Sequence, residues 1–212
     1  MISTRANLHQ SPIEAVVIGG SAGALNVVRE ILRALELPAR APVVIVLHLP
    51  PRSPDGLAEL LARECAFKVK QAEDKEPLEP GTVYLAPPGY HLLIESHRSF
   101  ALSGDAPVHF SRPSIDVLFE SAADAYGSGL LAILLSGASA DGAAGLQEVS
   151  VAGGFTAVQA PSSAESETMP SAALHLFEPT FIWTPDELAR ELPRMIRDSA
   201  MADIGTSSEG AA

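Results

Sequence analysis

The chain has 212 residues, enough for one domain with a sizeable core, and 47% of them are hydrophobic against 19% charged. This composition is typical of a globular protein and excludes an intrinsically disordered one. Acidic residues number 26 against 14 Lys and Arg, a formal charge of −12, and the cations form no cluster. Binding to nucleic acid or to an anionic membrane surface needs such a cluster, so we expect neither.

The single cysteine, Cys65, permits no internal disulfide and favours a reducing compartment. Its position among helically spaced apolar residues predicts a core residue rather than a catalytic thiol. No apolar stretch approaches the ~18 residues that span a bilayer, and the N-terminus lacks the apolar region of a signal peptide. We therefore expect a cytoplasmic protein with no membrane insertion.

The first part of the chain alternates strands with helices. Residues 1–12 are expected to form a flexible lead. The runs "AVVIGG" (15–20) and "APVVIVLHLPP" (41–51) predict buried strands. Helical spacing of apolar residues predicts helices in "ALNVVREILRAL" (24–35) and "DGLAELLARECAF" (55–67). This order predicts parallel strands with right-handed crossovers and helices on both faces of a sheet.

The alternation breaks in the middle of the chain. The runs "GTVYLAPP" (81–88), "HLLIES" (91–96) and "SFALSG" (99–104) are short and separated by turn residues. They predict an antiparallel hairpin at one edge of the sheet. Helical spacing returns in "SIDVLFESAADAYG" (114–127), with Gly127 as the residue that ends the helix.

The alternation then resumes. "LLAILLSG" (130–137) predicts a third buried strand, "GAAGLQEVSVAGG" (142–154) a helix, and "FTAVQ" (155–159) a fourth parallel strand. "TPDELARELPRMI" (184–196) begins with a capping-box pattern, and its helix should be kinked or interrupted at Pro193.

These elements together predict the α/β class, with a single-domain, doubly wound, mostly parallel sheet. The folded part of the chain is expected to span residues 13–197, and residues 198–212 are expected to form a mobile tail because they hold few apolar residues.

Three polar residues follow three of the predicted parallel strands: Ser21, His48 and Asp141. Ligands of doubly wound sheets bind beyond the carboxyl ends of the strands, so these side chains should meet at one rim. Serine, histidine and aspartate are the residue types of a hydrolytic triad, in which histidine takes the hydroxyl proton and the carboxylate orients the imidazole.

The sequence "GGSAG" around Ser21 fits G-x-S-x-G, a pattern typical of a nucleophile on a tight strand-to-helix turn. The helix that follows would present free backbone N–H groups to an oxyanion. The alternative is a loop that is small for steric reasons alone. The order Ser21, His48, Asp141 differs from that of ordinary α/β-hydrolases, in which the acid precedes the histidine.

Six stretches carry a resemblance to a known family: "VVIGGSAGAL", "IVLHLPP", "VYLAPPGYHLL", "SRPSIDVLFESAA", "LLSGASADGAAGLQEV" and "VQAPSSAESETMPSAAL". Together they resemble the catalytic domain of CheB, the chemoreceptor protein-glutamate methylesterase. The resemblance covers residues 13–197 and implies that these residues form the catalytic domain. The resemblance implies hydrolysis of glutamyl methyl esters on receptor signalling helices and, for many members, deamidation of glutamine. It implies Ser21 as nucleophile, His48 as general base and Asp141 as the orienting acid.

The chain departs from the family pattern at three places and at its beginning. Ala22, Gly23 and Ala24 follow the serine where family members often have Thr-Gly-Gly. Gly137-Ala138-Ser139 stands where Gly-Met-Gly commonly precedes the catalytic aspartate, and Ser171 replaces an arginine that often follows Met-Pro. Only about a dozen residues precede the first strand, too few for the family's receiver domain. We therefore expect a stand-alone enzyme with a methylated chemoreceptor or related signalling protein as substrate. A separate response regulator or methyltransferase would be its partner.

Two other hypotheses come from different classes. A catalytically degenerate domain could serve as a signalling scaffold or partner-binding module. A nucleotide-binding module is disfavoured, because Ile18 takes the place of the first glycine of G-x-G-x-x-G and His48 that of the acidic ribose ligand. No metal or cofactor motif occurs, so none is expected. Structural roles are predicted for the other histidines singled out, His91, His97, His109 and His175. For Arg112, a salt bridge and a substrate contact remain open.

Overall fold

The computed structural model describes residues 12–39, 41–48 and 56–202, with side chains to residue 197. The strands in these ranges are β1 Ala15–Gly20, β2 Val43–Leu47, β3 Lys68–Gln71, β4 Thr82–Leu85, β5 His91–Ile94, β6 Phe100–Ser103, β7 Leu130–Leu134, β8 Phe155–Gln159 and β9 Phe181–Trp183. The helices are α1 Ala24–Ala34, α2 Leu57–Ala62, α3 Ile115–Tyr126, α4 Ala143–Val151, α5 Thr168–Leu176 and α6 Pro185–Ala202.

Seven strands form one parallel sheet in the order β3-β4-β2-β1-β7-β8-β9. The chain winds from β1 towards β2 on one side and from β7 towards β8 and β9 on the other. The switch point therefore lies at β1, whose end is paired in register with both neighbours, Gly20 with Leu47 and Gly19 with Leu134. The predicted α/β class with a doubly wound, mostly parallel sheet is confirmed.

The central strands are buried on both faces, which explains their unbroken apolar sequences. One face packs against α1, α2 and α6, with Val28, Leu61 and Leu192 in the same apolar cluster as Ile18. The opposite face packs against α3, α4 and α5. Helices on both faces, as predicted, leave the carboxyl ends of the strands as an open rim.

The predicted antiparallel hairpin exists, but its position differs from the prediction. β5 and β6 form a separate two-stranded sheet that packs beside α3 and does not extend an edge of the main sheet. β4, predicted to belong with these strands, instead pairs in parallel with β2. Burial explains the arrangement, because Phe100 of β6 packs edge-on against Tyr84 of β4, with ring centroids 4.9 Å apart.

The sequence patterns did not predict the two edge strands, β3 and β9, or the helix α5. β3 is partly exposed and carries two lysines, while β9 has three residues. Such strands lack the apolar run that marks a central strand. The pattern also placed the second helix too far: α2 ends at Ala62, so Cys65 lies beyond it. Cys65 packs against the core, partly buried, and this burial raises the pKa of its thiol.

The last helix begins as predicted and is longer than predicted. Thr184 Oγ1 accepts from the Glu187 N–H at 3.4 Å, and the Glu187 carboxylate accepts from the Thr184 N–H at 2.8 Å, the reciprocal bonds of a capping box. α6 then runs through Pro193 without interruption and includes residues 198–202. The rest of the predicted tail, and residues 1–11 of the predicted lead, lie outside the described residues. None of the helices in the described ranges is long and apolar enough to cross a membrane.

Candidate active site

The turn after β1 is small for a steric reason. A Cβ atom at Gly19 would lie 2.2 Å from Ile115 Cγ2, and one at Gly20 would lie 2.5 Å from Ala24 Cβ. Close approach of α3 and α1 therefore requires both glycines. Ser21, which follows them, is half-buried, and its side chain forms no hydrogen bond within the described part of the chain. Sterics account for the glycines and leave the serine hydroxyl without a structural partner.

The backbone after Ser21 offers two hydrogen-bond donors that are free among the described residues, the N–H groups of Ala22 and Gly23. The Ser21 N–H is occupied, because it donates to the Ser136 carbonyl at 2.9 Å, and the Ser21 carbonyl accepts from Ala24 at 3.0 Å. The N–H groups of Ala22 and Gly23 donate to no acceptor among the described residues. They precede the first turn of α1, where the helix dipole favours negative charge.

His48 lies beside Ser21 because their strands are neighbours. The His48 N–H donates to the Gly20 carbonyl at 3.0 Å, which continues the pairing of β1 with β2. The His48 Nε2 atom is 2.8 Å from Asp141 Oδ2, although this oxygen lies off the direction of an Nε2–H bond. On the other side of the ring, Nδ1 is 3.4 Å from Ser111 Oγ. The imidazole thus lies between a carboxylate and a hydroxyl.

Asp141 is fully buried and receives its hydrogen bonds from the beginning of α3. Its Oδ1 accepts from Ser114 Oγ at 2.8 Å and from the Asp116 N–H at 3.1 Å, while Oδ2 accepts from the Ile115 N–H at 2.8 Å. Burial by itself would raise the pKa of this carboxyl. The close contact with His48 and the hydrogen bonds from α3 outweigh burial and lower the pKa to about 2. Asp141 is therefore an ionised carboxylate at neutral pH.

A second buried carboxylate, Asp116, behaves in the opposite way. Its Oδ1 accepts from the Gly145 N–H at 2.7 Å, and its Oδ2 lies 3.3 Å from His109 Nε2. Burial is the main cause that raises the pKa of Asp116, to about 6, and the negative charge of Asp141 adds to the effect. Two neighbouring carboxylates thus have pKa values on opposite sides of the usual range.

Substituting Asp116 by asparagine is expected to stabilise the protein above pH 6. The folded-state pKa of about 6 exceeds the ordinary value of 3.8, so the wild-type free energy of unfolding should fall as pH rises between them. Asparagine keeps an acceptor for the Gly145 N–H without the charge. Urea unfolding should show a gain on the order of 1–3 kcal/mol at pH 8 and little gain at pH 4. Equal gains at both pH values would contradict this assignment.

Ser136 ties the loop around Ser21 to two others. Its hydroxyl donates to the Ala22 carbonyl at 2.7 Å and accepts from the Ser166 N–H at 2.9 Å. The next residue, Gly137, packs so closely that an added Cβ would lie 3.0 Å from Ser21 Cβ. The loop Gly137-Ala138-Ser139, where the chain departs from the family pattern, therefore lies directly against Ser21.

The three predicted site residues thus lie at one rim, with His48 in contact with Asp141 and adjacent in the sheet to Ser21. Their supporting residues were not predicted. Ser114 stands at the N-cap position of α3 and donates its hydroxyl to Asp141 instead of capping the helix. A serine before a helical apolar pattern was the available signal. Ser111, facing His48, had no such signal.

The remaining candidates, the other histidines and Arg112, have structural contacts. His91 accepts from the Ser114 N–H through Nδ1 at 3.2 Å, so its Nε2 donates to the Ala106 carbonyl at 3.1 Å. Arg112 forms no salt bridge with the described residues, because its guanidinium donates to the carbonyls of Gly104 and Asp105. A substrate contact of Arg112 stays a prediction. Within the described ranges, no three His, Cys, Asp or Glu side chains are grouped so that they could hold a metal ion.

The fold is that of a doubly wound α/β protein, whose ligands bind at the carboxyl ends of the strands. A histidine paired with a buried carboxylate at this edge is an arrangement found in hydrolases. The CheB methylesterase family model matches residues 16–192. This chain belongs to the CheB methylesterase family.

Individual relatives agree with the family match. The chain is 42% identical to a Leptospira interrogans protein over 182 residues. The matched region covers 86% of this chain and 94% of the relative. It is 40% identical over 185 residues to the protein-glutamate methylesterase/protein-glutamine glutaminase 2 of Methanospirillum hungatei, covering 87% of this chain and 53% of the relative. The crystal structure of the Thermotoga maritima CheB methylesterase catalytic domain superposes with a TM-score of 0.78. The two are 29% identical, and the match covers 84% of this chain and 98% of that domain.

Proposed function

We propose that this protein is a serine hydrolase that removes methyl groups from glutamyl γ-methyl esters of chemoreceptor-type signalling proteins. The observation that carries the proposal is the 2.8 Å contact of His48 with the buried, ionised Asp141, at the strand end next to Ser21. A carboxylate held in this way orients an imidazole and stabilises it once it has taken a proton.

In the proposed reaction, Ser21 Oγ attacks the ester carbonyl carbon while His48 Nδ1 takes the hydroxyl proton. Nδ1 is the available nitrogen because Nε2 faces Asp141. The carbonyl oxygen becomes an oxyanion, which the unoccupied N–H groups of Ala22 and Gly23 can stabilise. When the C–O bond to the methoxy group breaks, the imidazolium returns its proton and methanol leaves.

The remaining acyl-enzyme is an ester between Ser21 and the glutamyl side chain. Water then attacks its carbonyl carbon, His48 takes the water proton, and the proton passes to Ser21 as glutamate is released. Glutamine could enter the same sequence with ammonia as the leaving group, which would account for deamidation. Asp141 stays ionised throughout, since its pKa is about 2.

Methanol release from a methylated chemoreceptor fragment tests the proposal. The wild-type protein should release one methanol per ester hydrolysed, and mass spectrometry should show the fragment 14 Da lighter at each site, a methyl group replaced by hydrogen. Absence of release from every methylated fragment, with the protein folded, would contradict the proposal. That outcome would favour the scaffold hypothesis, which the contact of His48 Nδ1 with Ser111 supports.

A further inference from the structure

A turn beside His48 carries a fully exposed aromatic side chain. Phe110 has a relative exposure of 104%, a higher value than that of any other large apolar side chain in the described ranges. It directly precedes Ser111, whose Oγ lies 3.4 Å from His48 Nδ1. Because consecutive Cα atoms are about 3.8 Å apart, the Phe110 backbone lies next to the residue that contacts His48.

The turn that holds Phe110 is fixed from both sides. Val108 and Ser111 exchange two backbone hydrogen bonds, of 3.1 and 2.8 Å, which close the turn. The guanidinium of Arg112 donates to the carbonyls of Gly104 and Asp105 at 2.9 and 2.8 Å, which joins the two ends of the loop. The position of Phe110 is therefore set before any ligand binds.

No contact among the described residues explains a phenylalanine at this position. The side chain buries no surface, and the backbone has φ 61°, in the left-handed region that favours glycine or asparagine. The preceding His109 has φ 47° and contacts Asp116 at 3.3 Å, which fixes the turn to α3. Residues held in such conformations cluster at sites that bind ligands.

Resting on the proposed function, we propose that Phe110 is a specificity-determining contact for the protein substrate. It would pack against an apolar side chain on the substrate helix that carries the glutamyl methyl ester. Positions three and four residues from the ester lie on the same helix face, about one 5.4 Å turn away, which suits the neighbouring positions of Phe110 and His48.

The test compares two substrates, a methylated signalling-helix fragment of a chemoreceptor and the single-residue ester N-acetylglutamate γ-methyl ester. Phe110→Asn removes the aromatic ring and suits the left-handed backbone, whereas Phe110→Leu keeps an apolar side chain. The ratio of kcat/KM for the fragment to kcat/KM for the small ester should fall about tenfold or more in Phe110→Asn. In Phe110→Leu this ratio should stay close to the wild-type value. Val151→Ala, an exposed apolar position at the far end of α4, should leave the ratio unchanged.

A second fragment, with alanine at the positions three and four residues from the ester, completes a double-mutant cycle. The effect of Phe110→Asn should largely disappear with that fragment. An unchanged ratio in Phe110→Asn, or effects that simply add, would overturn the inference and leave the proposed hydrolase intact. If the wild-type protein hydrolysed neither the fragment nor the small ester, the proposed function would be contradicted. This inference would then be contradicted as well.

Discussion

Replacing Ser21 by alanine is expected to lower kcat for methanol release by about 10⁶, the usual effect of losing a nucleophilic serine. The hydroxyl has no hydrogen-bond partner among the described residues, so its removal should leave the fold and the melting temperature nearly unchanged. Methanol release and thermal unfolding, measured on the same preparation, separate the two effects. Turnover within tenfold of wild type would exclude Ser21 as the nucleophile.

Two matched serine variants sharpen this experiment. Ser150→Ala removes an exposed hydroxyl on α4 and should have wild-type activity. Ser111→Ala removes the hydroxyl that lies 3.4 Å from His48 Nδ1, and should change kcat far less than Ser21→Ala because Ser21, not Ser111, forms the ester intermediate. If Ser111→Ala abolished turnover while Ser21→Ala retained it, the two serines would exchange roles.

Replacing Asp141 by asparagine is expected to lower kcat by about 10⁴. An amide nitrogen in place of Oδ2 would face His48 Nε2 and favour the tautomer that carries its proton on Nδ1. That ring could not accept the Ser21 proton. In the other amide orientation, the nitrogen would oppose the donors Ser114 and Asp116, which costs stability. Methanol release, with KM determined separately, should show the loss in kcat.

The stability of the same variant tests the buried carboxylate independently of catalysis. The folded-state pKa of Asp141 is about 2, below its ordinary value of 3.8, so its contribution is present above pH 4 and lost as pH falls towards 2. Asp141→Asn should therefore be less stable than wild type at pH 7, on the order of 2 kcal/mol, with a smaller difference near pH 2. Asp124→Asn, at an exposed position of α3, should show no such difference. A pH-independent loss would contradict an ionised Asp141.

The central sheet and the site rim could be predicted because both follow from local sequence. An apolar run of five or six residues buried on both faces identifies β1, β2 and β7, and the residue after each run must emerge at the same rim when the strands are parallel. Ser21 and His48 were located in this way, and Asp141 by the loop that follows β7. The edge strands β3 and β9 could not be predicted, because a strand with one neighbour and an exposed face needs no apolar pattern.

The sequence by itself determined which residue types reach the rim and in what order. Only the tertiary structure decided how they are held: Asp141 at the beginning of α3, Ser111 opposite it across the imidazole, and Phe110 exposed on a fixed turn. These contacts join residues dozens of positions apart. They depend on where the hairpin and α3 pack against the sheet, and packing between distant segments leaves no periodic signal in either one.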